Sequence, residues 1–204
     1  MRFYKKQIFL SGALALSLTS CASYTASVLH PLSLDTAIAQ SGEQGVVLSW
    51  KFFDQQDCQT YLGRDVISEG YIPAQITIKN HSNDPMYLGA GNFSTPPSPI
   101  REVASSVHTS TAGRALGWGI PGLFIWPLLI PAIYDGIQSS HANAALDADY
   151  AAKAIQEHII QPQTSFNGIV FIPKGKANEP IDTFLINQRT GEKLTFPGLN
   201  RTVR

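Results

Sequence analysis

The strongest constraint on the fold is a strictly alternating stretch at residues 71–80. Its apolar side chains are separated by polar ones over almost the whole length. The apolar positions are Ile72, Ala74, Ile76 and Ile78, and the polar positions are Gln75, Thr77 and Lys79. A period of two residues predicts a β-strand that has one apolar and one polar face.

Further strand patterns fall in two blocks on either side of the middle of the chain. Runs rich in β-branched and aromatic residues, bounded by turn residues, predict strands at 46–53, 71–80, 86–88, 166–172, 183–186 and 193–196. Neither block covers its own apolar face, so the two must pair across the middle. We therefore expect a mainly β fold, an antiparallel Ig-like β-sandwich over residues 46–200. The middle, at about 105–161, is then a helical insertion.

The middle contains an unusual apolar segment at residues 115–134. It has twenty residues without a charge, between Arg114 and Asp135. As a regular helix it would be about 30 Å long, enough to cross the core of a bilayer. Its glycines and prolines would interrupt the hydrogen bonds of that helix. They are Gly117, Gly119, Gly122, Pro121, Pro127 and Pro131.

Three interpretations of this segment remain open. It is a buried or half-buried helical pair that packs on the sandwich, or an interfacial or re-entrant loop that enters the membrane, or an apolar surface that binds a partner. In the last two, the membrane or partner contacts are Trp118, Phe124, Trp126 and Tyr134, since aromatic side chains favour such interfaces.

An amphipathic pattern follows the apolar segment. Apolar residues recur at helical spacing over residues 142–160, with the acidic residues outside them, and Pro162 ends the pattern. We expect a helix that returns along the apolar segment and completes an apolar helical hairpin.

The first twenty residues read as an export signal. Basic residues at the start precede an apolar run at 8–18, and small residues come directly before Cys21. The apolar run is too short to span a bilayer, which needs about 20 residues.

The residues Leu18-Thr19-Ser20-Cys21 resemble the lipobox of bacterial lipoproteins. The resemblance implies cleavage before Cys21 and a diacylglyceryl thioether with palmitate-type chains on its sulfur. Two or more acyl chains anchor a protein stably to the lipid bilayer. Ala22, where inner-membrane lipoproteins carry Asp, implies an outer-membrane destination in the cell envelope.

Composition limits the range of partners. The chain has 15 Lys and Arg against 15 Asp and Glu. Three of the basic residues lie in the signal, so the part from Cys21 onward is slightly acidic. Nucleic acid is therefore not an expected partner, because binding to phosphates requires clustered basic residues. Residues 21–45, mostly small and polar, are predicted to be a flexible lipidated tether.

The sequence contains no recognisable arrangement of catalytic or metal-binding residues. The five histidines are not spaced as metal ligands; they are His30, His81, His108, His141 and His158. Cys58 is expected to be buried, and no base partner is evident for it. We therefore predict no metal, no cofactor and no enzymatic activity.

The stretch 57–80 and the two runs 124–127 and 130–136 resemble an uncharacterised group of Gram-negative envelope lipoproteins. That resemblance implies no activity and no functional residues. The sequence leaves two functions open. The first is a non-enzymatic, membrane-anchored envelope lipoprotein with a structural or interaction role, whose apolar hairpin contacts the membrane or an envelope protein. The second is a small-ligand binding or accessory module with a pocket between sandwich and hairpin.

Overall fold

The structure, a computed structural model, describes residues 23–33, 39–109 and 129–198. In 39–41, at Glu43 and in 129–139 only the backbone is described. The strands of this part are β1 (Ala39–Glu43), β2 (Val46–Phe52), β3 (Tyr71–Asn80), β4 (Met86–Leu88), β5 (His158–Ile160), β6 (Thr164–Pro173), β7 (Thr183–Asn187) and β8 (Lys193–Phe196). Its α-helices are α1 (Gln55–Asp57), α2 (Ile100–Ser106) and α3 (Leu129–Lys153). Short turns of other helix types lie at Cys58–Leu62 (π), Ala90–Asn92 and Lys174–Lys176 (both 3-10).

The eight strands form two antiparallel sheets. Sheet A has the order β1-β2-β3-β6, and sheet B has the order β5-β4-β7-β8. In sheet A, Ile76 lies opposite Trp50 on β2 and Gly168 on β6. Each sheet combines strands from both ends of the chain, since β3 pairs with β6 and β4 pairs with β7. The pairing of the two sequence blocks is therefore confirmed.

One hydrophobic cluster contains side chains from both sheets. Leu48 and Ile76 of sheet A belong to it, and so do Leu88, Leu185 and Leu194 of sheet B. All five side chains are fully buried. Burial of a side chain of this size stabilises a fold by about 1.5–3 kcal/mol. The alternation that predicted the strands thus identifies the face of each strand that enters this core, and the mainly β prediction is confirmed.

By internal contacts the chain divides into two compact units. One comprises residues 25–107 and 147–204, and it contains both sheets. The other comprises 1–24 and 108–146. Within the described part of the second unit, the Thr109 amide donates to Asn143 Oδ1 at 2.9 Å, and Asn143 Nδ2 donates back to the Thr109 carbonyl at 3.2 Å.

The helix predicted over 142–160 has different bounds in the structure. Helix α3 begins at Leu129, inside the apolar segment, and ends at Lys153. Pro131 lies in its first turn, where a missing amide hydrogen breaks no helical hydrogen bond. After the helix, the Ile155 amide donates to the Ile169 carbonyl at 2.9 Å. Strand β5 then pairs with β4, so sheet pairing replaces the helical periodicity. The rest of the predicted hairpin, residues 115–128, lies outside the described residues.

No helix in the described part of the chain is long and apolar enough to cross a membrane.

The prediction of a flexible tether over 21–45 is corrected by the structure. Residues 39–43 form strand β1, which pairs with β2 along its whole length. The Leu32 side chain is buried and its amide is hydrogen bonded to Thr77. Small and polar residues gave the segment the composition of a linker, but hydrogen bonds to the sheet hold its described parts at Leu32 and at 39–43.

Candidate functional site

Most of the residues predicted for membrane or partner contact lie outside the described residues. These are the lipidation residue Cys21 and the aromatic residues Trp118, Phe124 and Trp126. Tyr134 lies in α3, but its side chain is not among those described.

The first feature is the segment 25–33, here called the strap, which runs across the outer face of sheet A. Its backbone is held by three side chains of that face. Gln75 Nε2 donates to the His30 carbonyl at 2.6 Å, and Asn167 Nδ2 donates to the Leu29 carbonyl at 3.2 Å. The Leu32 amide donates to Thr77 Oγ1 at 2.9 Å. Because side chains bind main-chain groups, the strap is held much as a receptor holds an extended peptide.

The three side chains that hold the strap also bind one another. Asn167 Oδ1 accepts hydrogen bonds from Gln75 Nε2 at 2.8 Å and from Thr77 Oγ1 at 2.9 Å. Gln75 and Thr77 are almost completely buried. We call these three residues the polar row. Gln75 Nε2, Thr77 Oγ1 and both polar atoms of the Asn167 side chain take part in these hydrogen bonds, as expected of polar groups in a buried position.

A second contact fixes the start of the strap. The Ser27 amide donates to the Thr60 carbonyl at 2.8 Å, in the π-turn Cys58–Leu62. That turn is itself held by Lys153, whose Nζ lies 2.7 Å from the Tyr61 carbonyl and 2.6 Å from Asp149 Oδ2. The strap is thus attached to the Thr60 turn at Ser27 and to sheet A from Leu29 onward.

Next to these contacts the strap leaves one large apolar side chain in solvent. Val28 is 71% exposed, and among the described residues only Ile159 is a second exposed large hydrophobic residue. A cavity of about 300 Å³ adjoins the strap here, lined by Val28, Lys153 and Asn167 among others. A smaller cavity of about 180 Å³ lies beside His30 and Leu32. The strap therefore combines a hydrogen-bonded backbone with an exposed apolar side chain.

The second feature is a cleft of about 430 Å³ on the outer face of sheet B. The neighbours of Tyr87, Phe184 and Ile186 along each strand are buried. Since side chains alternate along a strand, these three point away from the core. Lys193 Nζ lies 3.5 Å from the centre of the Phe184 ring, a cation–π contact. The pKa of Tyr87 is raised by loss of solvent around its side chain and by the neighbouring Glu157 carboxylate. The cleft thus offers aromatic surface beside one acidic and one basic group.

Cys58 is buried, as predicted from the sequence. Burial raises the pKa of its thiol to about 12, and the nearby carboxylates of Asp65, Asp57 and Asp54 add to the effect. A thiolate is the nucleophilic form of cysteine, so the thiol is unreactive at neutral pH. Within residues 23–33, 39–109 and 129–198, no group of three His, Cys, Asp or Glu residues is placed to hold a metal ion.

Sequence reasoning placed Gln75 and Thr77 on a polar face but missed what covers that face. The strap and the polar row are separated by 45 to 138 residues along the chain. No local pattern encodes such a contact. A usable signal is the presence of uncharged Gln and Thr, rather than Lys or Glu, at the centre of an apolar strand.

No protein-family model matches the chain, and neither a curated protein nor a solved structure matches it.

Proposed function

We propose that this chain is a lipid-anchored protein of the cell envelope, with a structural or interaction role. The anchor is lipid on Cys21, inserted in the outer membrane. The residues Leu18-Thr19-Ser20-Cys21 and the short apolar run before them support this proposal. The two sheets are proposed to pack as an Ig-like sandwich, for which the shared core is the support.

One observation carries the interaction role: the strap and the cleft occupy opposite outer faces of the sheet unit. The strap, which follows the anchor residue, lies on the outer face of sheet A. The cleft opens on the outer face of sheet B, and the core lies between the two sheets. A domain anchored through sheet A therefore presents the aromatic cleft away from its anchor. Aromatic side chains beside charged groups are typical of binding surfaces.

The apolar segment adds a second contact to this proposal. Trp118, Phe124, Trp126 and Tyr134 are proposed to touch the membrane or an envelope protein. The absence of charge over residues 115–134 supports an apolar environment for them.

A small-ligand binding or accessory module is the second candidate function. The sequence places its pocket between sandwich and hairpin, and the segment 115–128 of that hairpin lies outside the described residues. The cleft on sheet B, at about 430 Å³, supports this candidate function with a ligand site on sheet B instead. Its volume lies within the range of ligand pockets, about 300–1,000 Å³.

The anchor is tested by the intact mass of the protein purified from the membranes of a Gram-negative host. We expect a chain that begins at Cys21 and carries the added mass of a diacylglyceryl group, with or without a third acyl chain. The Cys21→Ser variant is the control, and it must lack that mass. A mature protein cut elsewhere, or one with a free thiol at Cys21, would contradict the proposal.

The role of the apolar segment is tested separately. Residues 22–204 are exported behind a cleavable signal that directs no lipidation, and membranes are washed at high pH. Retention in the membrane identifies residues 115–134 as a second anchor. Release into the soluble fraction leaves the lipid as the anchor and assigns the segment to the fold or to a partner.

A further inference from the structure

We infer that the strap holds the folded domain directly against the bilayer, with the corner formed by Val28 and the Thr60 turn as its contact surface. This inference rests on the proposed lipid on Cys21. It replaces the picture of a domain on a long flexible tether and gives the domain a defined orientation.

Only a short length of chain lies between the lipid and the first contact of the strap. Ser27 is the first strap residue with a hydrogen bond to the sheet unit, at 2.8 Å from its amide to the Thr60 carbonyl. Five residues lie between it and Cys21, and a fully extended chain over those six Cα–Cα steps covers at most about 20 Å. If the chain were free as far as Val46, it would reach about 85 Å.

The surface beside Ser27 carries an exposed apolar side chain. Val28 follows Ser27 directly and is 71% exposed, an unfavourable position for a large apolar side chain in water. Thr60 and Gln59 beside it are exposed and uncharged. The two charged residues that line the adjoining cavity, Asp149 and Lys153, form an ion pair with each other. A protruding valine beside uncharged surface residues is suited to the interface of a bilayer, where apolar side chains leave water.

Hydrogen bonds to the polar row oppose detachment of the strap from sheet A. Its carbonyl and amide groups are bound by the polar row at three successive points: Leu29, His30 and Leu32. Detaching the strap would break these three hydrogen bonds and open the buried side chains of Gln75 and Thr77 to water. The reach from the lipid therefore stays short.

The experiment compares two fluorescent labels on the full, lipidated protein in vesicles of phosphatidylethanolamine and phosphatidylglycerol. Thr60→Cys places a label at the proposed contact. Thr195→Cys places one on the exposed outer face of sheet B. Cys58 is buried and does not compete for the label, which the unsubstituted protein verifies. The readout is quenching by a nitroxide attached to lipid headgroups.

We expect several-fold stronger quenching at Thr60→Cys than at Thr195→Cys. Inserting about 20 Gly and Ser residues between Ser23 and Tyr24 lengthens the connection by roughly 25 Å on average. That insertion should reduce the quenching at Thr60→Cys to the level at Thr195→Cys while the protein stays on the vesicles. Equal quenching of the two labels before the insertion, or no change after it, would overturn the inference.

Two further variants test the contact surface itself. Val28→Asp should weaken quenching at Thr60→Cys, whereas Ile159→Asp should not, because Ile159 lies on sheet B. Equal effects of the two substitutions would remove Val28 from the contact. Failure of the proposed function is seen separately, since a protein without lipid on Cys21 lacks the added mass and does not bind the vesicles by that anchor.

Discussion

Two buried threonines give a sharp test of the polar row. Thr77 is 1% exposed, and its hydroxyl accepts from the Leu32 amide and donates to Asn167 Oδ1. Thr183 is 0% exposed, and its hydroxyl has no hydrogen-bond partner in the described part of the chain. Substitution of either by valine keeps the β-branched shape and exchanges a hydroxyl for a methyl group.

The expected effects have opposite signs. Thr77→Val removes two hydrogen bonds and leaves the buried Leu32 amide unpaired, which costs about 1–3 kcal/mol. The added methyl group returns roughly 0.8 kcal/mol of apolar burial. We expect a net loss of about 1–2 kcal/mol. Thr183→Val breaks no hydrogen bond and should be neutral or stabilise the protein by up to about 1 kcal/mol.

The assay is urea denaturation of residues 22–204 without lipid, followed by circular dichroism, for the parent and both variants. The free energies of unfolding should differ by about 1–3 kcal/mol between the variants, roughly five- to a hundredfold in the equilibrium constant. Equal stabilities would refute the reasoning, because the strap would then contribute nothing through Thr77. An unchanged denaturant slope confirms that both variants unfold in the same transition.

Three further predictions concern the thiol, one ion pair and one close contact. Because burial raises the pKa of Cys58 to about 12, its thiol should not react with a disulfide reagent at pH 8 until urea unfolds the protein; rapid reaction of the native protein would contradict the burial. Hydrogen bonds from Arg189 lower the pKa of Asp84 in the folded protein, so its stabilising effect is complete above the ordinary carboxyl range and is lost as the pH falls through the lowered value. Asp84→Asn should make the urea midpoint depend less on pH in this acidic range. An unchanged dependence would count against the ion pair. Gly168→Ala places a methyl group 2.7 Å from Ile155 Cγ1 and should destabilise the protein by about 1–3 kcal/mol in the same denaturation assay, whereas a parent-like midpoint would show that the site has room.

Local patterns were sufficient to predict most of the sheets. The strands at 71–80, 86–88 and 193–196 were predicted at their observed bounds, because period-two alternation is a property of the strand itself. The antiparallel pairing of the two blocks followed from the need to cover their apolar faces. Strand β5 was missed, because Ile155 and Ile159 continue the spacing of the preceding helix.

The part of the site that sequence could not predict depends on distant partners. Strand β1 and the strap have the composition of a linker. Pairing with the adjacent strand β2 orders β1, whereas hydrogen bonds to residues far along the chain order the strap. One hydrogen bond of the strap joins the Leu29 carbonyl, near the start of the chain, to Asn167, near its end. Composition describes what a segment prefers alone, and it does not record the surface against which the segment folds.

The central claim is that the chain following the lipid-bearing cysteine is part of the fold. Hydrogen exchange measured by mass spectrometry on peptides that cover residues 25–33 tests it most directly. The account predicts that the Ser27 and Leu32 amides are protected, with Thr77→Val selectively accelerating exchange at Leu32. Exchange of this whole segment at the rate of an unstructured peptide would contradict the account and restore a free tether.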